Sequence, residues 1–258
     1  MILLYFIISL LASIIGAICG IGGGVIIKPI MDFFALDNVA TISFLSACTV
    51  LAMSMYNVSR SAIEKIGAVD FRFSTPLAVG AALGGVAGKI FFDEIIALSG
   101  NQILVGRVQS ICMVIITLGT FLYTLCKRRI NTKRSTSIMS RILIGVSLGV
   151  LSSFLGIGGG PIILVAFFYF FSMDTKTAAQ NSLYIIFMSQ VASLLTALVT
   201  KSVPPFNWIS LGEMVAGGIL GGMIGREASK KMSHKDVDNV FLTAMGLIIL
   251  ISVYNSIR

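Results

Sequence analysis

The pentapeptide Gly-Ile-Gly-Gly-Gly occurs twice, at 20–24 and 156–160, inside otherwise apolar stretches. Glycine costs a helix about 1 kcal/mol relative to alanine, so three in succession interrupt it. Broken backbone is tolerated in hydrocarbon only where protein buries it or where it lines a polar cavity. A short apolar segment follows each cluster, 25–36 and 161–173. If that segment begins inside the bilayer, its free N–H groups and positive dipole end face the cavity, which is the chemistry of an anion site. Pro161 suits the first position of such a helix. Gly22, Gly23, Gly24, Gly158, Gly159 and Gly160 are therefore candidate substrate-binding residues. The structural alternative is tight helix packing through small residues.

Lys28 follows Gly24 by four residues. An ammonium group inside the bilayer is costly and marks a functional candidate, here as counter-charge to an anion. Otherwise its stem snorkels the charge to an interface. The matching stretch, Pro161 to Val165, has no cation, so a site that uses Lys28 is asymmetric. Thr41, Ser43, Gln180, Asn181 and Ser182 lie near the start of the third segment of each half. They can donate hydrogen bonds to an oxyanion or bond between helices. Glu213, in the apolar run 206–225, is the candidate for proton coupling, with an interfacial position as the alternative.

Other residues read as structural. Asp70 and Arg72 flank Phe71 at a helix entrance and suit a surface turn, and His234, the sole histidine, sits in a basic loop. Gly84 to Lys89 resembles a phosphate loop, but Ile90 stands where Ser or Thr is required and the first glycine is misplaced. No HExxH or GxSxG occurs, so no catalytic residue and no enzyme are expected. The four cysteines form no CxxC, so no metal, disulfide or cofactor is expected either.

These groups need elements that hold them in lipid. Of 258 residues, 56% are hydrophobic and 12% charged, against ~25% charged in soluble domains. The mean hydropathy is +0.97. A soluble globule, a disordered chain and a disulfide scaffold are excluded. The net charge of +8 resides mostly in short breaks between apolar runs. That pattern indicates anionic headgroups and topology rather than nucleic acid. The runs are 2–19, 25–36, 39–58, 73–92, 103–126, 141–156, 161–173, 177–200, 206–225 and 237–256. Six reach the roughly 20 residues that cross a bilayer. The first has no basic n-region or A-x-A site and reads as a retained segment.

The chain is internally duplicated. Phe33 to Asp37 matches Phe170 to Asp174, and Gly80, Gly84 and Gly88 match Gly217, Gly221 and Gly225, each 137 positions apart. Asp70-Phe71 pairs with Asn207-Trp208 at the same offset. The glycine trios, spaced by four, form small-residue stripes suited to close packing between halves. The expected fold is an all-α polytopic membrane protein of two homologous halves, 1–126 and 141–258, joined by a basic linker, 127–140. If both halves cross the bilayer in the same sense, 11 cations collect on the linker side and 8 on the other. If each glycine segment forms a hairpin, so that the halves are inverted repeats with three long transmembrane helices apiece, the division is 14 against 5. Positive charge favours the cytoplasm, so inverted repeats with a cytoplasmic linker and outward termini are expected.

With these motifs in view, the chain resembles the TauE/SafE (sulfite exporter, TSUP) family. Gly20 to Gly24 with Pro29, and Gly156 to Gly160 with Pro161, are similar to that family's GxGGG clusters. Asp70-Phe71-Arg72 and Asn207-Trp208-Ile209, each before a glycine-rich helix, are similar to its "D-W-R" entrance, with substitutions. The second half lacks a proline matching Pro29. The resemblance covers nearly the whole chain. It implies a multi-pass secondary transporter of small sulfur-containing anions, such as sulfite, sulfonates or sulfoacetate, in a bacterial plasma (inner) membrane. Its partners would be the anionic substrate and the lipid bilayer, and a homo-oligomer is compatible with it. The alternatives are a passive anion channel and a non-transporting membrane scaffold.

Overall fold

The computed structural model describes residues 2–64, 69–100, 102–127, 132, 137–155 and 159–257. Ten helices fill them: α1 (Ile2–Cys19), α2 (Gly24–Phe33), α3 (Val39–Glu64), α4 (Phe71–Ser99), α5 (Gln102–Cys126), α6 (Ile138–Leu155), α7 (Gly160–Phe171), α8 (Thr175–Val199), α9 (Trp208–Lys231) and α10 (His234–Ile257). Each apolar run of the sequence is met by one helix. The linker cations Arg128, Arg129, Lys133 and Arg134 lie outside the described residues, as do Gly156, Ile157 and Gly158.

The glycine clusters fall between α1 and α2 and between α6 and α7. Gly20, Gly22 and Gly159 have φ of 74°, 71° and 70°, a left-handed backbone that side chains with a Cβ disfavour. The chain therefore folds back there. Tyr5 donates to Asp37 Oδ2 at 2.8 Å, which ties the start of α1 to the loop after α2 and closes a hairpin.

Six helices are long and apolar enough to cross a membrane: α3, α5, α6, α8, α9 and α10. This set differs from the sequence count at two places. The 29-residue α4 is outside it; it carries Lys89 and Asp93, paired at 2.6 Å. Helix α6 is inside it because it starts at Ile138, ahead of the apolar run, with Arg141 stacked 4.3 Å from the Phe73 ring.

Neighbouring helices come largely from opposite halves. Helix α1 packs along α9 and α6 along α4; α3 lies beside α9 and α8 beside α4; α3 meets α8 centrally, and α5 meets α10. The glycine stripes permit this. A Cβ on Gly80, Gly84 or Gly88 would strike the backbone of Ile142, Val146 or Val150 of α6. On Gly221 or Gly225 it would strike Leu10 or Ile14 of α1. The core gathers Ile21, Ile27, Met31, Leu45, Phe167 and Ile186, all fully buried. Leu3, Ile115, Leu143 and Leu250 face outward, a distribution suited to acyl chains.

The repeat also reuses its helix starts. Asp70 caps α4 by accepting from Phe73 N at 3.0 Å, and Asn207 caps α9 by accepting from Ile209 N at 2.8 Å. The expected surface turn at Asp70 is thus a helix cap. Asp174 caps α8 through Lys176 N and Thr177 N, both 3.1 Å. Burial opposes its charge, but these bonds and nearby His234 outweigh that and hold its carboxyl below the usual range. A lowered carboxyl stabilises the fold above its unfolded-state value, and the contribution fades as pH falls through the folded-state value. Asp174→Ala is expected to cost about 1 kcal/mol, seen as a lower melting temperature at neutral pH and a smaller loss in acid.

Candidate functional site

The two glycine breaks meet at the centre of the molecule. Gly160 abuts the backbone of Ile21 so closely that a Cβ there would overlap the Ile21 carbonyl. Gly20 lies against Ala179, and Ser182 Oγ donates to the Gly20 carbonyl. A Cβ on Gly22 would sit 3.4 Å from both Val50 and Ile186, residues halfway along α3 and α8. The breaks therefore lie level with the middle of the two central helices. Gly23 rests on Ser13, and Gly24 is buried at the start of α2. Gly159, left-handed, sits on Ser152, while Gly158 lies outside the described residues.

One turn into α2, Lys28 is buried, with 3% of its surface exposed. Its Nζ donates to Ser43 Oγ at 3.0 Å and to Gln109 Oε1 at 2.7 Å. Gln109 is anchored in turn by Nε2 donating to the Phe154 carbonyl at 2.6 Å. Helices α2, α3 and α5 thus converge on one ammonium group. Among the described residues no carboxylate forms an ion pair with it. Its hydrogen-bond partners are neutral oxygens, and Asp32, one turn further along α2, interacts with it electrostatically at longer range.

Ser43 also lines a cavity of about 30 Å³ between α3, α4, α6 and α8, together with Lys89, Ser153, Gln190 and Ser193. Ser153 Oγ is buried there without a hydrogen-bond partner. The space is large enough to admit water. Its walls are mostly apolar, with Phe44, Phe92 and Leu194 among them, and its polar groups are Lys89, which is paired with Asp93, three serine hydroxyls and the Gln190 amide.

The other sequence-predicted residues are dispersed. Thr41 Oγ1 donates to the Pro205 carbonyl at 2.9 Å. Asn181 Oδ1 accepts from Ser74 Oγ at 2.6 Å and from Asp70 N at 3.1 Å, joining α8 to the start of α4. Gln180 Oε1 accepts from Ser61 Oγ at 3.3 Å and from Arg226 at 3.4 Å, near the far end of α3. Glu213 is half-buried on α9, its Oε2 enclosed without a partner. Lys28 and Ser43 are therefore brought together, while Thr41, Gln180, Asn181 and Ser182 occupy four separate settings. Sequence reasoning did not single out Gln109, Gln190 or Arg226, and met Lys89 only in the rejected phosphate-loop reading. For Lys89 and Arg226 a signal was present: each directly follows the last glycine of its stripe. Among the described residues no three His, Cys, Asp or Glu side chains converge as a metal site.

The family model described as sulfite exporter TauE/SafE matches residues 5–252. The chain is 23% identical, over 274 aligned positions, to the probable membrane transporter protein YunE of Bacillus subtilis (strain 168), covering 97% of each. No solved structure matches. The family match takes in both glycine breaks, the Lys28 cluster and the cavity beside it. This all-helical membrane protein belongs to the sulfite exporter TauE/SafE family of membrane transporters.

Proposed function

We propose that the protein is a secondary transporter of small sulfur-containing anions, such as sulfite, sulfonates or sulfoacetate, in a bacterial plasma membrane. The observation that carries this reading is Lys28, a buried ammonium whose two hydrogen-bond partners are both neutral. An anion beside it would share that charge with Asp32, which acts on Lys28 from one turn along α2. Ser43 and the N–H groups of the glycine breaks at Gly22 to Gly24 and Gly158 to Gly160 complete its coordination. Thr41, Gln180, Asn181 and Ser182 brace the helices that frame this centre. Glu213, with its enclosed and unpartnered oxygen, is the proposed site of proton coupling.

A reading as inverted repeats, 1–126 and 141–258, is supported by how the two parts touch. Along α3 and α8 the contacts run in opposite order: Ser61 meets Gln180, whereas Ser43 shares a cavity with Ser193. The repeated loops also sit at opposite ends of α5: Asp37 shares a cavity with Ile103 and Gly106, and Asp174 shares one with Tyr123 and Lys127. Both features suit a twofold axis in the membrane plane, which places 14 cations with the linker in the cytoplasm. Access to the cavity beside Ser43 must alternate between the two sides of the membrane during the cycle. Rocking of one half against the other does this.

The test is flux in proteoliposomes with imposed gradients of sulfite, taurine or sulfoacetate, with and without a proton gradient. Saturable, gradient-driven movement of at least one of them is expected. Non-saturable conductance indicates a channel, and no flux with no anion-dependent thermal stabilisation indicates a scaffold; either result overturns the reading.

A further inference from the structure

Lys89 and Arg226 stand 137 positions apart, each directly after the last glycine of a stripe. Lys89 lines the cavity that contains Ser43. The residue 137 positions after Ser43 is Gln180, which bonds to Arg226. The two cations thus occupy equivalent places at opposite ends of the α3–α8 contact. Lys89 pairs with Asp93 of its own helix at 2.6 Å, whereas at the Arg226 end the carboxylate comes from a second helix. Glu64 Oε2 accepts from Arg226 Nη2 at 3.0 Å, bridging α9 to α3.

The guanidinium is 4% exposed. Its Nη1 donates to Ser61 Oγ at 2.8 Å, to the Asn57 carbonyl at 3.2 Å and to Gln180 Oε1 at 3.4 Å. Its Nε is buried without a partner. Nε and Nη2 form one edge of the guanidinium, the edge that binds two oxygens of an oxyanion at once. Glu64 uses half of it. Glu64 is also shared with Arg60 at 2.9 Å and Lys230 at 3.3 Å, and Lys230 pairs with Glu227 at 2.8 Å. Three cations thus face two carboxylates, leaving a net positive charge.

We propose that Arg226 is a second binding site for a small oxyanion, the counterpart of the Lys89 cavity at the linker end. In this conformation the Glu64 carboxylate occupies it in place of the ligand. Separation of α3 from α9 withdraws Glu64 and opens the Nε–Nη2 edge. The proposal takes from the transport reading only the class of anion.

The test titrates sulfite, and separately sulfate, into the purified full-length protein and reads binding by calorimetry. Glu64→Gln removes the competing charge, so the dissociation constant is expected to fall about tenfold. Glu64→Asp, which retracts the charge by one methylene, gives about a threefold fall and keeps the question open to measurement if Glu64→Gln does not fold. Adding Arg226→Gln to either variant cancels the gain. Adding Arg226→Lys, which keeps the charge and loses the fork, cancels most of it. Unchanged affinity in both Glu64 variants, or a gain that survives the loss of Arg226, overturns the proposal. If the wild type moves no sulfur anion in vesicles while the Glu64 variants bind through Arg226, the transport reading fails and this site stands.

Discussion

Among the described glycines, Gly160→Ala is expected to be the most damaging addition of a methyl group. The new Cβ would coincide with the Ile21 carbonyl, and neither side can yield. Ile21 is fully buried and flanked by the left-handed Gly20 and Gly22; Gly160 begins α7 directly after left-handed Gly159. Overpacking a core costs about 1–3 kcal/mol, and more where backbone must move. A cost of about 3 kcal/mol lowers the melting temperature by roughly 10 °C in a chain of this size. Anion flux is expected to vanish with it, because the halves can no longer meet at their breaks. Gly246→Ala is the control: nothing lies within 4 Å of its added Cβ, and its melting temperature should match the wild type. A Gly160→Ala protein that melts with the wild type would mean that the breaks do not touch.

Lys28→Met separates charge from shape. Methionine fills the space of the lysine stem, and Gln109 keeps its bond to the Phe154 carbonyl. Removing Lys28 also strips Asp32 of the cation it interacts with, so a lower melting temperature is expected in a protein that still folds. Transport should collapse. Loss of the counter-charge to a buried anion costs about 3 kcal/mol or more, a factor of roughly a hundred in rate or affinity. Stabilisation by sulfite in a thermal-shift assay should disappear as well. A variant that folds and carries anions at the wild-type rate would remove Lys28 from the site, and with it the main support for a central anion.

Much of the scaffold was readable before any coordinates. Ten apolar runs correspond to ten helices, and the glycine clusters fall where the chain turns back. Caps recur at Asp70 and Asn207 because the same helix start is used twice. The stripes at Gly80 to Gly88 and Gly217 to Gly225 were expected to join the halves, and they pack α4 on α6 and α9 on α1. Lys28 was singled out because a cation in hydrocarbon needs a reason. Its partner Ser43 was named too, although Gln109 was not.

The site was less legible than the scaffold. Thr41, Asn181 and Ser182 share a segment type with Ser43, yet each spends its hydrogen bond on a different carbonyl or side chain. Gln109 lies 81 positions from Lys28, and a lone glutamine in an apolar run has no signature of its own. Transfer free energy and periodicity are properties of one segment, so sequence by itself determined how many helices exist, where they break and which cation is out of place. An apolar face reads the same whether lipid or another helix covers it. Which faces meet depends on shape, on where a missing Cβ lets backbone approach backbone. Only the tertiary structure therefore decided that each half completes the other, with the two breaks in contact and one ammonium enclosed between α2, α3 and α5.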